Sequence, residues 1–526
     1  MPSALRLLVS TLLLGALLPA VRAQSSAPLL AATVRVEGGG ETRFEYGTTG
    51  STGLRAFALD TEGRPGVAAV VGGHGRTGPI GGKSGLTFLF FLHFHDDRSV
   101  FLEAQLLNDA IDDPPGKVAA AWEVSLQGRE VAKGNGRFAD ETGVTIFAGT
   151  TRAAPRADLV AELLSTMPAP GTIRGAPPPG PKADDPDPVR NTHQTGSPRN
   201  AWVAVDAARF LSTGEAGHLE RLLDFVAAQA RRPYHLSEAN GEPFLFERHP
   251  TAAFIEGKPE LRSHRATFGR MQLPPAAFDA GGFNGWDHEH MNVEELYAAY
   301  VLLGSRVARR ELVLIAEQLL STRYVKDEGQ HQHSARAFGW VARLLVRAAQ
   351  ATGEPRYRAG VRRMMGSLKA HWQPNGAYKA LVAQEPRGDH MPDQRWESPF
   401  HVAVATSALA LHLRVFPDDA EARELLRFCG DLLVDQGYSP RNGGFFYDYS
   451  VESSAKNGDG KQTKGVALWI CAPLVEVAWA VPEGERAKYL APARRLWDAN
   501  RVEDWGKPSH DIYWRWFLPA AKEFGP

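Results

Sequence analysis

The chain is poor in cysteine, and this scarcity limits the chemistry that it can carry. Only two of the 526 residues are cysteine, Cys429 and Cys471, and they lie in consecutive predicted helices without a CxxC pattern. Two apolar helical thiols are more often buried than bonded, although an exported protein can pair them. Neither has the sequence context of a reactive thiolate.

The chain also lacks an excess of charge and, beyond its N-terminus, any long apolar run. The 59 basic and 60 acidic residues give a formal net charge of −1, which provides no electrostatic footprint for nucleic acid or an anionic membrane. No later stretch reaches about 18 uninterrupted apolar residues. We therefore expect no nucleic-acid partner and no membrane span.

The first 23 residues have the pattern of a secretory signal peptide. Arg6 is followed by an apolar run over 7–18 and by the small-residue cleavage site Val-Arg-Ala at 21–23. The run is too short to span a membrane. The sequence predicts a signal peptide over 1–23 and a secreted or periplasmic protein.

One pattern recurs five times in the C-terminal two-thirds of the chain. An apolar helix ends at a turn with Gly or Pro before an acidic or small polar residue, at 214–215, 304–305, 353–354, 417–418 and 482–483, and an amphipathic helix follows. One such pair cannot bury its own apolar face, so repetition predicts an array of packed helix pairs. The predicted helices are 200–211, 215–230, 291–303, 306–321, 333–352, 355–370, 399–415, 419–435, 465–480, 485–499 and 511–521.

The connections between pairs are long, whereas the turns within pairs are short. The long connections cover roughly 232–290, 323–331, 372–397, 437–463 and 500–510. If the pairs pack side by side, all long connections lie at one end of the array, and loops on a rigid scaffold are where binding and catalysis concentrate. We therefore place the functional site at that end.

The first part of the chain has a different pattern. Short β-branched or aromatic runs at 33–36, 86–95, 100–107, 119–126 and 143–147 are separated by Gly, Pro, Asp or Asn clusters, which predicts an antiparallel β-sandwich or barrel. The segment 169–198 is rich in Pro, Gly and Asp and predicts a linker. The expected organisation is a β-rich domain over 30–150, a short helix and linker over 151–199, and a helical domain over 200–526.

This organisation resembles carbohydrate-active enzymes, the glycoside hydrolases and polysaccharide lyases built on an (α/α)6 toroid. The segment 286–304, which opens on Trp-Asp-His-Glu-His and continues into a tyrosine-rich helix, is similar to a segment of rhamnogalacturonan exolyase-like proteins. The segment 395–401 is similar to segments of other toroid enzymes. The resemblance covers roughly 200–521. It implies an α+β multidomain fold, an N-terminal antiparallel β-sandwich or barrel followed by an (α/α)6-type toroid. An open solenoid is the alternative, and the short helix at 157–165 would supply the twelfth helix of a closed ring.

The long connections contain the groups that a polysaccharide lyase needs. β-Elimination requires a base, an acid for the leaving oxygen, and cations that neutralise the uronate carboxylate, and His, Tyr and Arg supply these. Tryptophan faces stack on sugar rings. The predicted catalytic residues are Asp287, His288, Glu289, His290, His331, Glu397 and Tyr447. The predicted substrate-binding residues are Arg262, Arg270, Trp286, His333, Trp372, Arg395, Trp396, His401 and Tyr449.

Other interpretations of the same residues remain open. Asp287, Glu289 and Glu397 could serve a glycoside hydrolase, which needs two carboxyl groups flanking the bond, and a non-catalytic glycan-binding protein is a further alternative. Acidic residues before a helix are also favoured by its dipole, whatever the function. The abundance of His, Arg and Tyr favours the lyase.

No cofactor is required by these reactions, and the expected partner is a polysaccharide or oligosaccharide. Histidines at 288, 290, 331 and 333 could instead hold a divalent metal, zinc or calcium, although proton transfer is favoured. His93 and His95 predict a polar strand end rather than a metal pair, because no third ligand follows at a suitable position. The oligomeric state is left open.

Overall fold

The protein has a mixed α and β fold. The computed structural model describes residues 28–47, 50–79, 85–109, 117–139, 143–167, 205–230, 255–256, 266–267, 293–321, 325, 335–371, 396–397, 399–439, 444–445, 449–450, 464–500 and 511–525. Within these ranges the chain forms two five-stranded antiparallel sheets, three two-stranded sheets and twelve α-helices.

Ten strands of the N-terminal part form the two larger sheets, in the orders β3-β2-β1-β8-β9 and β10-β7-β6-β5-β4. Side chains from both sheets share one buried core, and the rings of Phe44 and Phe88 stack across it with centroids 5.4 Å apart. Both sheets therefore contribute side chains to one core. The strands are β1 (Leu30–Val36), β2 (Glu41–Gly47), β3 (Gly50–Thr52), β4 (Arg55–Leu59), β5 (Val67–Arg76), β6 (Thr87–His95), β7 (Val100–Leu107), β8 (Lys117–Leu126), β9 (Arg129–Ala139) and β10 (Gly143–Gly149).

The second sheet is a middle layer. On β6, Phe88 and Phe90 belong to the core between the sheets, whereas Leu89 and Phe91 belong to the core of the helices. Since both of its faces are covered, β6 is a nearly continuous apolar run.

The helices match the predicted ones in order and, to within about five residues, in their bounds. They are α1 (Ala157–Ser165), α2 (Val205–Thr213), α3 (Gly217–Gln229), α4 (Glu294–Leu303), α5 (Arg306–Ser321), α6 (Ala335–Thr352), α7 (Pro355–His371), α8 (Pro399–Val415), α9 (Ala420–Leu432), α10 (Lys464–Ala480), α11 (Glu483–Asn500) and α12 (Asp511–Phe524). From α2 to α11 they form five pairs joined by short turns, as predicted. Three of these turns begin with Gly214, Gly304 and Gly353 at φ of 75–76°, a conformation that favours glycine.

The even-numbered helices α2 to α12 contact one another in sequence order. Ala208 of α2 and Leu518 of α12, the first and last helices of this series, belong to one buried cluster with Met167. We call these six the ring helices. All ten residues of α4 are buried, whereas the outer helix α9 alternates buried and exposed positions, as expected for an inner and an outer layer.

The ring has two distinct ends. Arg343 of α6 bonds Glu294 of α4, and Arg347, further along α6, lies against Tyr297, further along α4. Gly339 and Arg343 of α6 contact Val404 and Ser407 of α8 in the same order. The ring helices α4, α6 and α8 therefore run parallel. Their C-terminal ends, with the short turns, form what we call the turn end. Their N-terminal ends, which receive the long connections, form the loop end.

Helix α1 does not complete the ring, so its predicted place as a twelfth ring-forming helix is wrong. The chain just before it pairs with the last turn of α4, where the Arg156 amide donates to the Val301 carbonyl at 2.9 Å. Glu162 of α1 bonds Arg347 and Arg414 of two ring helices. Helix α1 therefore crosses the turn end.

Two further expectations concern single features of the helices. Cys429 and Cys471 are both buried and unpaired, and burial raises the pKa of each thiol. In the part of the chain that the structure describes, no helix has the length and apolar character needed to cross a membrane.

Candidate active site

Most of the predicted site residues lie outside the described residues. These are Arg262, Arg270, Trp286, Asp287, His288, Glu289, His290, His331, His333, Trp372, Arg395 and Tyr447. For three of the segments that contain them, the structure describes the helix that follows. Ring helices α4, α6 and α8 begin directly after the segments that contain His290, His333 and Glu397. Their predicted roles stay predictions.

Two of the long connections meet at the loop end. The short strands β13 (Trp396–Glu397) and β16 (Tyr449–Ser450) form an antiparallel pair, in which Glu397 is opposite Tyr449 and Trp396 is opposite Ser450. This strand pairing brings together the backbones of three predicted site residues, Trp396 and Glu397 from one connection and Tyr449 from another. The pair lies immediately before α8.

The other short strands lie in the same connections. Strands β11 (Ile255–Glu256) and β12 (Ala266–Thr267) pair in the first long connection, with Arg262 between them in sequence. Strands β14 (Tyr438–Ser439) and β15 (Gly444–Phe445) pair in the fourth. The first and fourth long connections therefore contain ordered backbone pairing of their own.

His401 lies in the first turn of α8, where the loop end begins. Its residue is 5% exposed, so the side chain lies inside the protein rather than in solvent. The predicted binding role requires that a substrate enter the ring as far as this turn, and it stays a prediction.

The ring interior contains a cluster of buried charges that the sequence did not reveal. We call it the floor cluster: Glu162, Glu294, Arg343, Arg347, Arg414 and Glu476. Arg343 donates to Glu294 at 2.8 Å, and Arg347 donates to the other oxygen of Glu294 at 2.9 Å and also to Glu162. Arg414 donates to Glu162 at 3.2 Å and to Glu476 at 2.8 Å. The cluster connects α1 with four ring helices.

The floor cluster balances three carboxylates with three guanidinium groups. Burial raises the pKa of Glu162, but Arg347 and Arg414 outweigh it and lower that pKa to about 2. Burial lowers the pKa of Arg347, but the carboxylates of Glu162 and Glu294 outweigh it and raise that pKa above its usual range. Glu162 and Arg347 are therefore both charged at neutral pH, and their ion pair holds α1 against α6.

Tyr297 extends the floor cluster without adding an acid. Its ring centroid lies 4.2 Å from the Arg347 guanidinium carbon, a cation–π distance. Burial raises the pKa of its hydroxyl well above the usual range. In sequence, Arg343 and Arg347 lie on one polar face of an amphipathic helix, a pattern typical of an exposed face, whereas in the structure both are buried.

His93 is not part of a polar strand end, and that expectation is wrong. It is 2% exposed, and its Nε2 lies 2.6 Å from Oε1 of the fully buried Glu103. A polar strand end was expected because one face of β6 was assumed to be exposed to solvent. In the structure the helices cover that face. His95 is also buried, and this burial lowers its pKa.

No family model matches the sequence, and no curated protein matches it. Solved structures do match. An unsaturated glucuronyl hydrolase from Bacillus sp. GL1, responsible for the degradation of glycosaminoglycan, is 14% identical with a TM-score of 0.37, over 56% of this chain and 71% of that one. A polysaccharide lyase is 10% identical with a TM-score of 0.40, over 64% of this chain and 93% of that one. A family 88 glycosyl hydrolase from Bacteroides vulgatus is 11% identical with a TM-score of 0.39, over 64% of this chain and 95% of that one.

The predicted metal site remains open. The described residues include no group of three or more His, Cys, Asp or Glu side chains placed to hold a metal ion. His288, His290, His331 and His333, to which the zinc or calcium hypothesis refers, lie outside those residues, so that hypothesis stays a prediction.

Proposed function

We propose that this chain is an exported carbohydrate-active enzyme with an N-terminal β-sandwich and an (α/α)6 toroid, and that it cleaves a uronate-containing glycan by β-elimination at the loop end. The observation that carries the proposal is the backbone pairing of Trp396–Glu397 with Tyr449–Ser450. It places aromatic, acidic and phenolic residues of two connections together, directly before a ring helix. Residues of these types are the ones that line a glycan cleft.

In the proposed reaction, His290 or His331 removes the proton next to the uronate carboxylate. Arg262, Arg270 and Arg395 neutralise the carboxylate, which stabilises the negative charge that develops on it. Tyr447 donates a proton to the glycosidic oxygen as its bond to the ring carbon breaks. A carbon–carbon double bond forms in the uronate, and no water is consumed. Tryptophans at 286, 372 and 396 bind the flanking sugar rings.

The test is to incubate the purified protein with a panel of glycans, with and without uronic acid, and to record unsaturated-uronate absorbance and reducing sugar together. We expect both signals on a uronate-containing glycan. Reducing sugar alone would indicate the hydrolase that uses Asp287, Glu289 and Glu397. Binding without either signal would indicate a glycan-binding protein. Protein recovered from its own host should begin after residue 23 by mass spectrometry.

Single variants then locate the chemistry. Replacing His290 or His331 with Ala should lower turnover on the order of a hundredfold, because each is proposed to transfer a proton. The matched control is His74→Ala, a partly exposed histidine on β5 of the second sheet, which should keep wild-type turnover. Wild-type turnover in both the His290 and the His331 variants would contradict the assignment of the active site to the loop end.

A further inference from the structure

Three segments with predicted chemistry each lead into a ring helix. The segment ending at His290 enters α4, the one ending at His333 enters α6, and the one containing Glu397 enters α8. For a catalytic site, the relative positions of these three entry points must be held closely, since a displacement of about 1 Å can cost on the order of a hundredfold in rate.

One side chain connects all three helices. Arg343 belongs to α6, its Nη2 donates to Oε1 of Glu294 on α4 at 2.8 Å, and its Nη1 donates to Oγ of Ser407 on α8 at 3.2 Å. Each of the three residues is 2% exposed, so water does not compete for these bonds.

The connection is made at the start of α4. Arg343 and Ser407 lie roughly two turns, about 12 Å, into their own helices, whereas Glu294 is the first residue of α4. Helix α4 therefore begins inside the ring, at the depth of Arg343. The chain enters it at Val293, which is itself buried, three residues after His290. Arg347, one turn further along α6, donates to the second oxygen of Glu294 at 2.9 Å.

We propose that Arg343 is the positioning residue of the active site: by holding Glu294 and Ser407 together, it fixes the point at which the chain enters α4, at Val293 and Glu294, relative to α6 and α8. The inference rests on the proposed function and deepens it. A guanidinium suits this role because its planar fork can donate to two acceptors in fixed directions, which the single ammonium of a lysine cannot reproduce.

The experiment compares Arg343→Met and Arg343→Lys with Arg414→Met. Arg414 is the matched control, a floor-cluster arginine that bonds Glu162 and Glu476 toward the turn end. Turnover is measured on the glycan identified above, at a temperature well below the melting temperature of every variant. We expect Arg343→Met to lower kcat at least tenfold with KM changed less than threefold, Arg343→Lys to recover part of the loss, and Arg414→Met to keep kcat within threefold.

A second measurement needs no activity. Hydrogen exchange, read by mass spectrometry, should become faster over 281–293 in Arg343→Met and stay unchanged there in Arg414→Met. If Arg343→Met fails to fold, Ser407→Ala removes only one bond and should show the same pattern in smaller measure.

The outcomes separate the two proposals. Unchanged kcat and exchange in the Arg343 variants, or parallel losses in the Arg343 and Arg414 variants, would overturn the positioning role. A wild-type protein inactive on every glycan, with exchange over 281–293 raised only in Arg343→Met, would overturn the proposed function and leave the positioning of this segment supported.

Discussion

At the scale of single residues, the carboxylate of Glu162 shows how the ring interior tolerates charge. It reaches from α1 to Arg347 and Arg414, and its side chain is 12% exposed. Burial opposes the charge, but two guanidinium groups hold its pKa near 2. Its ionised form is therefore favoured in the folded protein relative to the unfolded chain, and folding stability must depend on pH through this group.

Glu162→Gln should destabilise the protein at pH 7 by roughly 3 kcal/mol, since each pKa unit corresponds to about 1.4 kcal/mol. The folded pKa lies below the ordinary value of 4.5, so the stabilisation is complete above about pH 4.5 and is lost as the pH falls toward 2. The wild-type advantage should therefore shrink over this range in urea unfolding at pH 7, 4 and 3. Glu220→Gln, an exposed glutamate of α3, is the control. A difference of the same size at every pH would contradict this assignment.

At the scale of elements, the turn between α4 and α5 is capped from another part of the chain. Glu103 of β7 accepts hydrogen bonds from the Ser305 hydroxyl at 2.7 Å and from the amides of Arg306 and Val307 at 3.0 and 2.8 Å. The first amides of a helix lack partners within the helix, and the helix dipole favours an anion there. A side chain of strand β7 thereby caps the N-terminus of helix α5.

Glu103→Ala should lower the free energy of unfolding by about 2–4 kcal/mol, because it leaves His93 and the cap donors buried without their acceptor. Glu103→Gln should cost less, since it keeps one oxygen acceptor. Thermal and urea unfolding measure the effect, with Glu123→Ala on the exposed side of β8 as control. A Glu103→Ala variant as stable as the control would show that the cap does not contribute to folding.

Elements whose boundaries and periodicity are both visible in the local sequence could be predicted from the sequence alone. The helix pairs were predictable because apolar periodicity and turn residues such as Gly304 lie within a few positions of each other. Strand β9 was missed because Gly134 and Gly136 indicate a turn. In the structure, a side chain at Gly134 would come within 2.5 Å of the Trp122 ring, so glycine there makes room for a ring on the neighbouring strand.

Contacts between distant positions were not predictable in this way. Glu103 and Ser305 are separated by 202 residues, and Arg347 and Glu162 by 185. Nothing in the local pattern of either residue specifies its partner. For the site, the sequence predicted only that Glu397 and Tyr449 lie at the same end of the array. That these two residues are opposite each other in a strand pair is known only from the folded chain.

At the scale of the whole molecule, the sheets and the helices share a core. Leu89, Phe91 and Phe101 of the second sheet pack into the helical core, and Gln105 of β7 donates to Glu311 of α5 at 2.7 Å. The two parts are therefore joined by buried apolar and polar contacts rather than only by the chain between them.

A fragment that begins near residue 200 should be insoluble or unstable, because it exposes the apolar surface that these strands cover and loses α1. Solubility, circular-dichroism melting and turnover test this. The control is the full chain cut once between 168 and 204 with both pieces retained, which should stay folded. A well-folded and fully active fragment would show that the sheets are dispensable.

The meeting of α2 with α12 has a consequence for how the protein is made. Ala208 of α2 and Leu518 of α12 share one buried cluster with Met167, so this cluster cannot form until residues 511–524 have been synthesised. Until then α10 lacks its neighbour α12. Contacts between positions so far apart in sequence form slowly and leave apolar surface open to aggregation until they do, so the apolar face of α2 is covered only after α12 has been made.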